Sequence, residues 1–252
     1  MTDEMNINEL NTDQDFIGSR RNRYRLRFEK TGRPRFIGHL DMLKLFERAV
    51  RMARLPVMFS KGFNPHIVIA MAQPLALGHE SLCEYLELQL TRSLEPDSIV
   101  GGLNAVLPEG VRTVNCRALS LHEKAAAALV SAAAYDIALP FPAQTDRFES
   151  AAALIMGSDT LPAQKRTKSG VFDADIRGDI YSLKIYRDAG RAGGGNIALS
   201  AVIACGSARN LKPELLVRQI LECAGLECDM NEIRYVRTRL LTAADGGLTD
   251  LT

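Results

Sequence analysis

The sequence predicts an α+β fold of two tandem ferredoxin-like (βαββαβ) units, the second with an extra strand. Three observations carry this. Period-two and period-3.6 apolar patterns follow one another in the order β-α-β-β-α-β across residues 23–119. A similar order returns in the second half of the chain, with one strand more. A length of 252 residues suits two domains of ordinary size. They are expected at 20–119 and 120–252, behind an acidic, non-periodic tail, 1–19, expected to be disordered.

In residues 23–30, Tyr24, Leu26 and Phe28 alternate with Arg23, Arg25, Arg27 and Glu29, which predicts a strand with one buried and one mostly cationic face. Residues 31–34 are turn material. Residues 40–54 are helical in pattern: Leu43, Phe46, Val50 and Ala53 make an apolar stripe, and Lys44, Arg48 and Arg51 a separate cationic one. Asp41 falls in the first turn, where the helix dipole favours an acid. Leu55-Pro56 ends the helix. A strand starts at 57–59, is interrupted by a loop at 60–66 and resumes at 67–71. In the next strand Leu86, Leu88 and Leu90 alternate with Tyr85, Glu87 and Gln89. A short helix at 96–107, stopped by Pro108-Glu109-Gly110, precedes a strand at 111–119.

The second half opens with a strand at 132–139 and a helix at 144–156. Strand-like runs follow at 161–168, 171–176 and 181–186, then a flexible Gly-rich segment, 190–195. A strand at 196–204, a helix at 213–224 with Pro213 in its first turn, and a strand at 233–241 complete the order. Residues 246–252 are expected to fray.

Hydrophobic residues at 46% and charged residues at 24% are ordinary for a soluble globular protein. No apolar run approaches the ~20 residues of a membrane helix, and the acidic start of the chain does not read as a signal peptide. The cytoplasm is the expected compartment. Cys83, Cys116, Cys205, Cys223 and Cys228 are odd in number and contain no C-x-x-C, which argues against a disulfide framework and against a zinc site.

Charge is placed unevenly. Between Arg20 and Lys61, thirteen Lys/Arg face only Glu29, Asp41 and Glu47; that segment carries +10, leaving −9 for the rest of a chain of net charge +1. Such a segment points to a surface that faces a polyanion or an acidic partner. The candidate nucleic-acid-binding residues are Arg23, Arg25, Arg27, Arg33, Arg35, Lys44, Arg48, Arg51 and Lys61. A second basic cluster is Lys165, Arg166 and Lys168. The alternative for each is a solvated basic face.

Two loops, one around His39 and one at 60–66, are expected to meet at one end of the first domain. They supply a candidate substrate-positioning set: His39, Asp41, Ser60, Gly62, Phe63, Asn64 and His66. Lys61 would meet a phosphate, and Phe63 would stack on a base or lie in the core. His39 and His66 are the candidates for general acid/base work. His39, Asp41 and His66 lack metal-ligand spacing, so neither a metal nor a cofactor is assigned. His79 and His122 fall in turn-like segments and are expected to be solvated. No Walker A, GxGxxG or GxSxG pattern occurs, which disfavours those nucleotide loops and serine hydrolase chemistry.

One series of motifs is distinctive: Phe36-Ile37-Gly38-His39-Leu40-Asp41, Arg48-Ala49-Val50-Arg51-Met52-Ala53, Leu55-Pro56, Ser60-Lys61-Gly62-Phe63-Asn64-Pro65-His66, then Leu77-Gly78 and Ser81 before Glu84-Tyr85. The series resembles the bacterial radical SAM-linked protein family, a domain of unknown function found alone or fused behind a cobalamin-binding radical SAM protein. The resemblance is dense over 23–90 and implies a partner of that kind and a link to RNA; it assigns no catalytic residues. The expected function is thus a radical SAM-associated accessory protein that binds RNA or presents a substrate. The alternatives are a metal-independent RNA-processing or RNA-modifying enzyme, and a protein-interaction domain without RNA.

Overall fold

The computed structural model describes residues 22–251 apart from 121, 168, 169, 188–196 and 245. The tail at 1–19, the Gly-rich segment at 190–195 and Lys168 lie outside the described residues. The chain is a mixed α/β protein. It divides into two compact units, one taking the chain up to Pro74 and Glu84–Ala126, the other Leu75–Cys83 and Ala127–Thr252. No helix among the described residues is long and apolar enough to cross a membrane.

In the first unit β1 (Arg23–Lys30) leads through a 3-10 turn (Arg33–Phe36) to α1 (His39–Met52), followed by β2 (Ile69–Met71), β3 (Glu80–Gln89), α2 (Pro96–Asn104) and β4 (Val111–Ala118). The strands lie in the order β4-β1-β3-β2. β4 runs antiparallel to β1, with a register shift between Arg27 and Phe28, and β2 runs antiparallel to β3. The period-two pattern of β1 delivers Tyr24, Leu26 and Phe28 to a core shared with Met42, Phe46, Ala49 and Val50 of α1 and with Leu86, Leu88 and Leu90 of β3. The Phe28 and Phe46 rings meet edge-on, centroids 4.7 Å apart. Arg54, at φ 52°, turns the chain out of α1 before Pro56.

The return from α2 to β4 is tight. Gly110 has φ +84°, and a Cβ there would lie 2.3 Å from the Thr31 carbonyl oxygen and 2.9 Å from Pro34 Cδ. The Thr31 N–H donates to the Gly110 carbonyl at 2.8 Å. Gly110→Ala is therefore expected to destabilise the first unit by about 1–3 kcal/mol, read as a lower urea midpoint.

The second unit holds a short helix α3 (Ala126–Leu129), then β5 (Val130–Leu139), α4 (Thr145–Gly157), β6 (Pro162–Thr167), β7 (Gly170–Asp175), β8 (Ile180–Arg187), β9 (Ile197–Ala204), α5 (Pro213–Ala224), β10 (Arg234–Ala244) and β11 (Gly247–Asp250). Its strands run β10-β5-β9-β8, all antiparallel. The first residues of β3 belong to this unit, and β10 takes a short parallel pairing with them, Val236 with Glu80 and Arg237 with Ser81. The expected single extra strand is corrected. β6 and β7 pair only with each other, as a separate two-stranded sheet, so the insertion is a hairpin. The expected frayed C-terminus is corrected too. Gly246, at φ 80°, turns the chain back, β11 pairs with β10 from Ala244↔Gly247 to Leu241↔Asp250, and Leu251 is buried.

Candidate nucleic-acid interface

The loop at 60–66 is a closed hairpin tip. Phe59 bridges Ile67, the Ser60 N–H donates to the His66 carbonyl at 2.7 Å, and the His66 N–H donates to Ser60 Oγ at 2.9 Å. Between these, Lys61, Gly62, Phe63, Asn64 and Pro65 are exposed, as is His66. Gly62 supplies the φ of +129° that the tip needs. Phe63 is fully exposed, at 107%. The alternative that put Phe63 in the core is overturned: its ring forgoes the roughly 1.5–3 kcal/mol that burial of such a side chain yields.

The second component is the outer face of α1. Met42, Phe46, Ala49 and Val50 point inward, which leaves Lys44, Arg48 and Arg51 on the exposed side. Lys44 meets Asp41 at 3.7 Å, but both are over two-thirds exposed (75% and 71%), and such a pair holds little energy. Arg48 and Arg51 make no side-chain hydrogen bond or ion pair among the described residues. Near the start of the helix Arg33 is exposed, and Arg35 lies over the Phe36 ring at 4.8 Å.

The arginines of β1 do something different from what their alternation suggests. Arg25 is buried, 1% exposed at its side chain, with Nε donating to Glu87 Oε1 at 2.9 Å and Nη1 3.4 Å from Glu123 Oε1. Arg23 bonds Glu87 Oε2 at 3.1 Å and the Glu123 carbonyl at 3.0 Å. Arg25 Nη2 adds the Lys124 carbonyl at 2.8 Å. The expected phosphate-binding face is corrected here. A neighbouring segment at 123–126 crosses it, and Glu87, Glu123 and backbone carbonyls consume the two cations. Arg27 is half-buried, and its Nε is buried with no hydrogen-bond partner among the described residues.

The two loops do not meet. Lys30, at the end of β1, bonds the Ile37 carbonyl at 2.8 Å, which puts His39 and Asp41 at that end. The loop at 60–66 is rooted at the other end. The Leu90 N–H donates to the Asn22 carbonyl at 3.0 Å, and Leu90 bridges Val57. The eight residues of β1 separate the ends by about 26 Å, and α1 descends about 21 Å from His39 to Met52. His39 and His66 therefore form no acid/base pair, and no metal-holding cluster of His, Cys, Asp and Glu exists among the described residues. The same descent places Arg48 and Arg51, not His39, toward the loop's end.

Beside the root of the loop lies a cleft of about 530 Å³, on the side of β3 away from the core, lined by Arg23, Ser60, Val68, Ala70, Glu87 and Gln89 among others. Its volume is in the range of small-molecule sites. Sequence reasoning missed it, although the alternation of Glu87 and Gln89 with Leu86 and Leu88 marked which side chains would floor it.

In the second unit His79 is another correction. It is buried, 4% exposed, not solvated. Its Nε2 is 3.2 Å from Glu214 Oε1, and its ring stacks on Tyr235 with centroids 4.5 Å apart. His122 is exposed as expected. Burial pushes Glu214 up, but the hydrogen bond from His79 and its own backbone N–H pull it to a net value below the ordinary 4.5. In the first unit the Arg117 hydrogen bond holds Glu123 below 4.5. A carboxyl with a depressed folded pKa contributes stability above its unfolded value, and the contribution is lost as pH falls through the folded one. Each unit is therefore expected to weaken on acidification below 4.5, with Glu123→Gln and Glu214→Gln each flattening the profile of urea midpoint against pH.

All five cysteines are free. Burial, then Asp97, pushes the Cys116 thiol up to about 12, so it is no nucleophile at neutral pH.

No curated protein matches the chain. Among solved structures, a chain in the crystal structure of a Cbf5-Nop10-Gar1 complex matches 88% of this chain at 10% identity and a TM-score of 0.50. The match takes in 50% of that protein's length, so this chain spans about half of it, and the likeness is one of fold alone. The model of a family described as an uncharacterized protein conserved in bacteria (DUF2344) matches residues 23–213. That is well over half of the 252 residues, and the chain belongs to this family.

Proposed function

We propose that the chain is an accessory module that binds single-stranded RNA through the outer face of α1 and the loop at 60–66, and presents it to a separate cobalamin-binding radical SAM enzyme in the cytoplasm. The observation that carries the RNA reading is Phe63, fully exposed at a loop tip at the end of the unit where α1 finishes, with exposed Arg48 and Arg51, unpaired among the described residues, in the last turns of that helix. Stacking of a base on an exposed aromatic beside cations is how sequence-tolerant single-strand binders work. Lys44, Lys61 and Arg33 extend the cationic surface. The radical SAM partner rests on the resemblance of the motifs at 36–41 and 60–66. The strand orders β4-β1-β3-β2 and β10-β5-β9-β8 support reading the two units as ferredoxin-like, the architecture of many RNA-binding sheets.

The enzyme alternative, with His39 or His66 as acid/base, has these histidines at opposite ends of the unit, so either would act without the other. The protein-interaction alternative keeps one observation in its favour: Phe36 and Leu40, 63% and 69% exposed, lie together at the His39 end. The test is binding of the purified chain to a cellular RNA pool at low and raised salt. Salt-sensitive binding supports the reading, and no binding at low salt would replace it with the protein-interaction one. Phe63→Ala is expected to weaken RNA binding by about five- to a hundredfold, from the ~1–3 kcal/mol of one stacked base, with an unchanged melting temperature.

A further inference from the structure

We infer that the cleft beside the loop receives one unpaired nucleobase and that Gln89 reads its edge. This rests on the RNA-binding reading and deepens it. The hydrogen-bonding capacity of the cleft is uneven. Glu87 is largely engaged: Oε1 accepts from Arg25 Nε at 2.9 Å and from the Ala126 N–H at 2.8 Å, and Oε2 accepts from Arg23 at 3.1 Å. Arg23 is already held by Glu87 and by the Glu123 carbonyl, so a phosphate is met more readily by the exposed Arg48 and Arg51. Gln89 differs. Its backbone is paired with Met58 and Val68, while its side-chain amide has no partner among the described residues. Leu88 and Leu90 on either side of it are in the core, so the amide stands on the opposite face, in the cleft. Ser60 Oγ accepts the His66 N–H and keeps its own hydrogen to donate.

A flat, neutral occupant with hydrogen-bonding edges matches these groups, with Val68 and Ala70 providing apolar wall. A carboxamide presents a donor beside an acceptor. It pairs with an edge that does the same, such as adenine N6/N7, and not with the twin acceptors O6/N7 of guanine. Phe63, at the tip of the hairpin that Ser60 closes, would hold a neighbouring base of the strand.

The experiment compares an oligoadenylate with an abasic strand of equal length, by fluorescence anisotropy on the full chain. Two variants are used: Gln89→Leu, which keeps the volume, and Ala70→Phe, which narrows the cleft from an exposed position. Expected is a loss of about tenfold or more on oligoadenylate for Gln89→Leu, the scale of one bidentate base contact, with the abasic strand unaffected. Ala70→Phe is expected to lose affinity in the same selective way, and it carries the test if Gln89→Leu fails to fold. Wild-type affinity in both variants, or an equal loss on both strands, would overturn the inference and leave the RNA-binding reading standing. Failure of the wild-type chain to bind either strand would instead overturn that reading.

Discussion

Glu87→Ala is expected to destabilise the first unit by about 3–5 kcal/mol, the cost of leaving a buried charge without its partner. Arg25 is the reason. Its side chain is 1% exposed, and Glu87, itself 13% exposed, is its nearer carboxylate at 2.9 Å. The remaining partner, Glu123, stands 3.4 Å away and is shared with Arg117. Without Glu87 the guanidinium of Arg25 cannot return to water, because residues 123–126 cover it. That covering segment also loses an anchor, since the Ala126 N–H donates to Glu87 Oε1 at 2.8 Å. The melting temperature should fall on the order of 10 °C. Glu87→Gln, which keeps the shape and one acceptor, should fall less. A loss under about 1 kcal/mol for Glu87→Ala, the range of an exposed pair, would show that the network is solvated.

Arg48→Glu/Arg51→Glu is expected to abolish most RNA affinity while leaving the fold intact. Both side chains are exposed and bond nothing else among the described residues, so their replacement leaves no buried group without a partner. Surface changes of this kind cost within about 0.5 kcal/mol. For binding, losing two phosphate contacts to a single strand removes about 1.4 released counterions, worth roughly 25-fold at about 0.1 M salt, and the added negative charges weaken it further. Circular dichroism and melting should match the wild-type chain. An unchanged affinity would move the interface away from α1.

Much of the first unit was legible in the sequence because its signals are local. Tyr24, Leu26 and Phe28 mark the buried face of β1 by period two, and Phe46 and Val50 mark that of α1 by period 3.6. The outer face of α1 was legible for the same reason: whatever is not in the stripe is out. What failed depends on distant chain. Alternation showed that Arg23 and Arg25 face away from the core, but the segment that covers them comes from about a hundred residues downstream, with separations of 100 and 99. His79 follows a glycine in a turn and reads as solvated; Glu214 and Tyr235, which bury it, belong to α5 and β10. The expected meeting of His39 with the loop at 60–66 failed on direction. A helix of fourteen residues must carry the chain to the opposite end of the unit before that loop begins. The Gln89 cleft arises only once β2 pairs with β3 and the hairpin closes at Ser60.

The most direct test of the account is the salt dependence of RNA binding by the wild-type chain and by Arg48→Gln/Arg51→Gln. Expected is a steep, linear fall of log affinity with log salt for the wild type, and a slope shallower by about 1.4 in the variant. A wild-type slope near zero, or identical slopes in the two proteins, would contradict it.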